Sequence, residues 1–248
     1  MCQKKLIHIG TSGWHYKHWL GAFYPVNFAE KNYLKYYSAH FCTVEVNNSF
    51  YHLPQENTII QWKDTVPEDF IFAVKASRFI THMKKLIDPE KSIALFFERI
   101  KAFDNKLGPI LFQLPPRFGF NQERLRSFLK ALPEGYKYVL EFRDPSWFNS
   151  QAYDLMKEYN VAFCIYKLGN FQSPGEITSD FIYIRYHGSV ALGAGLYNKE
   201  EIIRFANDIK GYLEQGKEVF AYFNNDQAGF AVQNAIELNQ ILNNLDSK

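Results

Sequence analysis

Charged and polar side chains stand in pairs two residues apart in this sequence: Glu45 with Asn47, Glu141 with Arg143, Arg185 with His187, and Tyr222 with Asn224. Each pair closes or follows a run rich in Val, Ile, Phe and Tyr, and in an extended chain residues two apart share a face. Lys75 and Gln113 end similar runs. Parallel strands laid side by side would bring all of these groups together at one end of a fold. Two carboxylates, Glu45 and Glu141, with an imidazole, His187, that titrates near neutrality are the ingredients of acid/base catalysis. Glu141 leads among these catalytic candidates because Arg143, on its face, can hold a substrate beside it. Carboxylates across a site also serve glycoside chemistry, where their separation decides the stereochemistry. The substrate-binding set is Trp14, Asn47, Tyr51, Lys75, His82, Gln113, Arg143, Arg185 and Asn224. Lys75 and the arginines supply positive charge, and Trp14 and Tyr51 supply walls. The substrate expected is a small polar molecule, carbohydrate-like or phosphorylated, and the reaction that of a hydrolase, lyase or isomerase. The alternative for the charged residues is a satisfied ion network that fills the interior.

Other chemistries have less to work with. Glu45, Glu141, His187 and Asp226 offer oxygen and nitrogen to a divalent metal, as in a metal-dependent hydrolase or isomerase. No His-Glu-x-x-His or Cys-x-x-Cys pair accompanies them, and the neighbouring cations oppose a divalent ion, so no cofactor is expected. Cys164 sits inside an apolar run and no Gly-x-Ser-x-Gly elbow exists, leaving Ser12 and Ser49 as weak nucleophiles. Gly188-Ser189 and Leu192-Gly193-Ala194-Gly195 carry backbone donors that suit a phosphate on the substrate, but they form no nucleotide fingerprint. A non-catalytic alternative is a module that captures a small anion or single-stranded nucleic acid through Arg and aromatic stacking. The formal net charge of +2 gives no field for a polyanion, which argues against nucleic acid. The segment carrying Trp14, His15, Tyr16, Trp19, Phe23, Tyr24 and Phe28 reads as a lid over a pocket or as a satellite aromatic cluster.

The elements that must position these groups alternate. Strand-like runs lie at Leu6–Ile9, Thr43–Val46, Phe70–Lys75, Ile110–Leu114, Tyr138–Phe142, Val161–Tyr166, Phe181–Tyr186 and Val219–Phe223. Most are apolar on both faces, as parallel strands covered by helices are. Helical patterns fill Lys31–Ala39, Asn57–Thr65, Pro89–Phe103, Gln122–Leu132, Ser150–Tyr159, Lys199–Leu213 and Ala231–Leu245. In the third, Ile93, Leu95, Phe96, Phe97, Ile100 and Phe103 form the apolar stripe, with Asp88 as cap and Pro89 in the first position. Lys167–Asp180 has no helical period and reads as a loop. Eight strands alternating with helices predict an α/β fold, a TIM-type (β/α)8 barrel without a regular helix between strands six and seven, with an open doubly wound sheet as the alternative. No linker divides residues 1–248, so one domain is expected. The odd cysteines Cys2, Cys42 and Cys164 read as reduced thiols. With no signal-like stretch in Met1–Gly10 and no membrane span, a cytoplasmic protein is expected, and nothing marks an oligomeric seam.

Seven ordered blocks then give the chain a family resemblance. They are Gly10-Thr11-Ser12-Gly13-Trp14 with Gly21-Ala22-Phe23-Tyr24-Pro25; Glu45-Val46-Asn47-Asn48-Ser49-Phe50-Tyr51 with Pro54; Lys75 with Thr81-His82; Gln113-Leu114-Pro115-Pro116; Glu141-Phe142-Arg143 with Trp147; Arg185-Tyr186-His187-Gly188; and Tyr222-Phe223-Asn224-Asn225. Together they resemble the YecE-like proteins, the domain of unknown function 72 family, over nearly the full length. The resemblance implies a TIM-type barrel and brings no reaction, substrate or cofactor with it. One departure is Cys164-Ile165-Tyr166-Lys167, where relatives tend to carry an acidic residue after the sixth strand.

Overall fold

A computed structural model describes residues 6–245. Eight parallel strands stand in a nearly closed ring: β1 (Ile7–Thr11), β2 (Thr43–Val46), β3 (Ile71–Lys75), β4 (Leu107–Gln113), β5 (Tyr138–Glu141), β6 (Ala162–Leu168), β8 (Phe181–Tyr186) and β9 (Glu218–Phe223). The short β7 (Phe171–Gln172) is a hairpin partner of β6. Around the ring lie α1 (Tyr33–Ser38), α2 (Glu56–Thr65), α3 (Pro89–Ile100), α4 (Gln122–Lys130), α5 (Ser150–Glu158), α6 (Lys199–Glu214) and α7 (Phe230–Leu245). The expected α/β barrel is therefore the observed one, and β-strand edges that would otherwise lie open are paired in turn.

Two apolar regions follow from strands buried on both faces. The larger lies between the strands and the helices. The smaller fills the ring with Ala73, Leu111, Val139, Cys164, Tyr183 and Phe220 among others. Period-two alternation from these residues carries Lys75, Gln113, Glu141 and Arg185 onto the inner face at the carboxyl ends. At the opposite end His8 stacks on Phe220, ring centroids 4.5 Å apart, and bonds Glu218 at 2.9 Å, as expected of a hydrogen-bonded core histidine.

The ring is thinnest between β1 and β2, which meet through one bridge, Ser12 with Glu45. The Tyr37 hydroxyl from α1 sutures that seam, accepting from Thr11 N at 3.0 Å and donating to Thr43 O at 3.1 Å. The strands approach so closely there that a Cβ on Gly10 would stand 2.4 Å from Thr43 O.

As expected, no helix links β6 to β8. Instead the connecting segment runs back alongside β6 and bonds its backbone with side chains. Ser173 Oγ accepts from Tyr166 N, and Thr178 Oγ1 accepts from Phe163 N, at 2.8 and 2.7 Å. These hydroxyls satisfy donors that would otherwise be buried without a partner.

Several local expectations need correction. Asp88 makes no side-chain cap on α3, because it sits at φ 44°, ψ 61° rather than in the extended conformation that aims a cap at the helix amides. Leu95 is 60% exposed, on the outer side of α3, because the stripe that faces inward is Ile93, Phe96, Phe97 and Ile100. That helix ends at Ile100, and a tighter turn carries the chain on, with Asp104 at φ 54°. Cys164 is free and buried, as expected of a reduced thiol. Cys2 lies outside the described residues. Among the described residues no helix is long and apolar enough to cross a membrane.

Candidate functional site

The inner rows of β2, β5 and β8 deliver a layer of fully buried charge. Arg185 spans it, donating through Nη2 to Glu45 Oε1 and through Nη1 to Glu141 Oε2, each at 2.7 Å. Glu45 also accepts from Ser12 Oγ on Oε1 and from the Tyr183 hydroxyl on Oε2, both at 2.6 Å. Glu141 Oε1 is taken by Arg143, which folds back from two residues further along the chain to bond it. Glu45 and Glu141 are 0% exposed and Arg185 and His187 1%. Burial pushes both carboxyls up, but Arg185 beside Glu45, and Arg143 with Arg185 beside Glu141, reverse this, leaving Glu45 below and Glu141 well below the usual range. Both are therefore carboxylates at neutral pH, and their oxygens bond the protein rather than face solvent.

His187 sits on this layer as a neutral ring. Burial, then the Arg185 charge, lowers it to about 4. Arg143 Nη2 lies 2.6 Å from His187 Nε2 and Glu141 Oε1 lies 3.3 Å from the same nitrogen. A guanidinium can only donate, so the shorter contact makes Nε2 the acceptor and places the ring proton on Nδ1. The Asn224 amide lies 3.1 Å from Nδ1 and accepts that proton when its oxygen is turned inward.

Above the layer the inner rows regain solvent. Lys75, His82, Gln113, Arg143 and Asn224 are all partly exposed there. Arg143 lies 4.5 Å from the centroid of the Tyr166 ring, which holds the guanidinium from one side while Glu141 holds its edge. Lys75 Nζ lies 4.0 Å from the Phe50 ring centroid. No ion pair reaches it among the described residues. Burial, then the Arg185 charge, lowers its ammonium from 10.5 to about 8. His82 packs edge-on against the same Phe50 ring at 5.0 Å, with Thr81 Oγ1 at 2.8 Å from its Nδ1. Around the layer, Lys75, Arg143 and Arg185 outnumber Glu45 and Glu141; of these five, Lys75 and Arg143 are partly exposed, while both carboxylates and Arg185 are sealed from solvent.

Not every expected site residue joins this cluster. Trp14 and Asn47 line a separate cavity of about 540 Å³ shared with Gln61 and Trp62, outside the ring. Trp14 is 7% exposed and meets Trp62 edge to face at 5.0 Å. Tyr51 is 65% exposed, leaning on the edge of Phe50. The aromatic segment after β1 is a packed cluster rather than a lid: Trp19 is 0% exposed, and Tyr24 stacks on Tyr33 at 4.1 Å. In the glycine-rich segment after β8, Gly188 N bonds the Tyr197 hydroxyl, Gly193 N bonds His187 O and Ala194 N bonds Ala191 O, so these three donors are already taken. Lys167 faces outward beside Glu201 of α6 at 3.9 Å, because Tyr166 takes the inner position, so the departure at that residue removes nothing from the cluster. Asp226 lies with His18 at 3.7 Å, apart from Glu141. No group of three His, Cys, Asp or Glu among the described residues could hold a metal.

Tyr183, Tyr166 and Phe50 are the members that sequence reasoning missed. Tyr183 precedes Arg185 by two and shares its face, a signal of the same kind that found the charged pairs. Ser12 is a buried donor to Glu45 rather than a nucleophile. Cys164 Sγ donates to Glu141 Oε2 at 3.6 Å, and burial, then Glu141, holds its thiol well above the usual range, which leaves it inert.

Residues 8–248 match the family described as Protein of unknown function DUF72. The UPF0759 protein YunF of Bacillus subtilis (strain 168) is 27% identical over an alignment of 270 positions that covers 96% of this chain and 95% of YunF. The UPF0759 protein YecE of Escherichia coli (strain K12) is 30% identical over 146 residues, 58% of this chain and 50% of YecE. The crystal structure of a DUF72 family protein from Thermotoga maritima superposes with a TM-score of 0.87 at 28% identity, covering 96% of this chain and 100% of that one.

Proposed function

Because the chain belongs to the DUF72 family, which brings no reaction with it, we propose from its own residues that it is an enzyme acting by acid/base chemistry on a small anionic substrate, phosphorylated or carbohydrate-like, bound at the barrel mouth. One observation carries the reading. The charged inner-face groups open to solvent are cations, Lys75 and Arg143, while both carboxylates are sealed below them. A ligand entering there meets positive charge and the amides of Gln113 and Asn224.

The layer beneath divides the work. Glu45 and Glu141 hold Arg185 and Arg143 in place, so the guanidinium that meets the ligand is already oriented and little ordering remains to oppose binding. Glu141, Arg143 and His187 form one hydrogen-bonded unit, through which a proton placed on His187 alters the charge that the substrate feels. The group whose proton exchanges nearest working pH is Lys75. The position at the carboxyl ends of the strands is where barrels of this type carry their reactions.

The experiment is a melting screen of the purified, EDTA-treated protein against sugar phosphates, the same sugars without phosphate, short single-stranded oligonucleotides and divalent metals. A ligand that prefers the folded state raises the melting point. The reading expects a shift with sugar phosphates and none with the neutral sugars. A shift with metal alone points to a metal-dependent hydrolase or isomerase instead, and a salt-sensitive shift with oligonucleotide alone to a nucleic-acid binding module.

A further inference from the structure

We propose that Lys75 is an imine-forming nucleophile, and that the substrate of the barrel mouth is a small aldehyde or ketone carrying an anionic group. This rests on the reading of the mouth as an anion site and adds the functional group on which the chemistry acts.

Among the described residues, Lys75 lacks an ion-pair partner. It ends β3 on the inner face, in the row Ile71, Ala73, Lys75. The charged and titratable groups that act on it are Arg185 from β8, Glu45 from β2, and Glu141 and Arg143 from the end of β5, with His82 from its own following loop. Both carboxylates are committed to arginines, and among the described residues neither comes within ion-pair distance of Lys75. Its contact is instead the face of Phe50, with Ser49 Oγ fixing the strand end by donating to Lys75 O at 2.6 Å.

An ammonium kept only to bind an anion is served best by full protonation. Here burial and the neighbouring Arg185 guanidinium favour the free amine, outweighing the cation–π contact with Phe50 that favours the ammonium, and a desolvated lysine beside another cation is how amine nucleophiles are activated. With the ammonium lowered to about 8, on the order of a tenth of the molecules carry the free amine at pH 7, against roughly one in a few thousand for an ordinary lysine. Arg143, fixed by Glu141 and Tyr166, is left to hold the anionic group.

In the step itself the Nζ lone pair adds to the carbonyl carbon, and the carbonyl π electrons move to oxygen, which takes a proton from the nitrogen. The resulting carbinolamine loses that oxygen as water, with the second amine hydrogen, as the carbon–nitrogen double bond forms. Amine and carbonyl become imine and one water, with no oxidant or reductant. Once protonated, the imine draws electrons from an adjacent C–H or C–C bond, the chemistry of isomerases and lyases.

The test uses the full-length protein with pyruvate and with dihydroxyacetone phosphate, each reduced in place by sodium borohydride and followed by peptide mapping. The expected result is one reduced adduct on Lys75, at concentrations where exposed lysines such as Lys91 and Lys157 carry less than a tenth as much, with labelling rising several-fold from pH 6 to 8. Adducts spread over exposed lysines with Lys75 unmodified overturn the inference. If either anion raises the melting point while Lys75 stays unmodified, the imine fails and the anion site stands. If no anion raises the melting point, the reading beneath it fails.

Discussion

Lys75 faces Phe50 across 4.0 Å with no carboxylate among the described residues near enough to pair with it, although Glu45 and Glu141 lie close enough to act on its charge. The protein has thus buried three cations around two carboxylates and left the unpaired one at the mouth. Its folded pKa lies below its unfolded one, so the unfolded chain binds the extra proton between about 8 and 10.5. Stability therefore rises with pH through that window and carries the full cost below it. Lys75→Met should stabilise the ligand-free protein at pH 7 by roughly 2–3 kcal/mol in urea unfolding. The gain should fade as the pH approaches 10. A variant less stable than the parent at pH 7 would contradict the burial argument.

Arg185 is the opposite case, since two carboxylates depend on it. Arg185→Met leaves Glu45 and Glu141 buried without their shared partner and should cost about 3–5 kcal/mol. Adding Glu45→Gln and Glu141→Gln should recover most of that loss, because the uncompensated charge, not the missing volume, is what destabilises. Urea midpoints of the single and triple variants decide the matter, and no recovery in the triple variant would count against a charge-driven layer.

Acid should act in two stages. His187 is lowered to about 4 in the fold, so from about pH 6.5 downward the unfolded chain binds a proton the folded one refuses, and stability falls. The Glu45 and Glu141 carboxyls are also depressed. Their contribution is complete above about 4.3, the unfolded glutamate value, and is lost as pH falls through their folded values. Melting temperature against pH should begin to drop near 6.5, and His187→Gln should delay the drop to the carboxylate range. An unchanged onset would show that His187 does not titrate as placed.

The seam between β1 and β2 gives a prediction independent of function. Tyr37→Phe removes the hydroxyl that joins Thr11 N and Thr43 O, leaving both buried, at a cost of about 1–3 kcal/mol. Thermal unfolding reads it, with Tyr36→Phe on the same helix as the near-neutral comparison.

Alternation of apolar runs made the barrel legible, because each strand is buried on both faces and carries its signal locally. The missing sixth helix was legible for the same reason, as Lys167–Asp180 has no period. The charged cluster was legible through spacing: Glu141 with Arg143, and Arg185 with His187, are two apart and share a face. What spacing does not contain is depth. Glu45 and Arg143 look alike as strand-end charges, yet Glu45 is sealed and Arg143 reaches solvent, a difference set by Ser12, Tyr183 and Tyr166 from three other strands or loops. Trp14 and Asn47 belong to the right strand ends and still face a different cavity, because the chain turns sharply after β1 and β2.

The most direct test of an anion-binding mouth is calorimetric titration with glucose 6-phosphate and with glucose, on the parent protein and on Arg143→Met. The account predicts binding of the phosphate ester alone, weakened tenfold or more in the variant, about 1.4 kcal/mol or greater. Equal affinity for glucose and its phosphate, or no effect of removing Arg143, would contradict it.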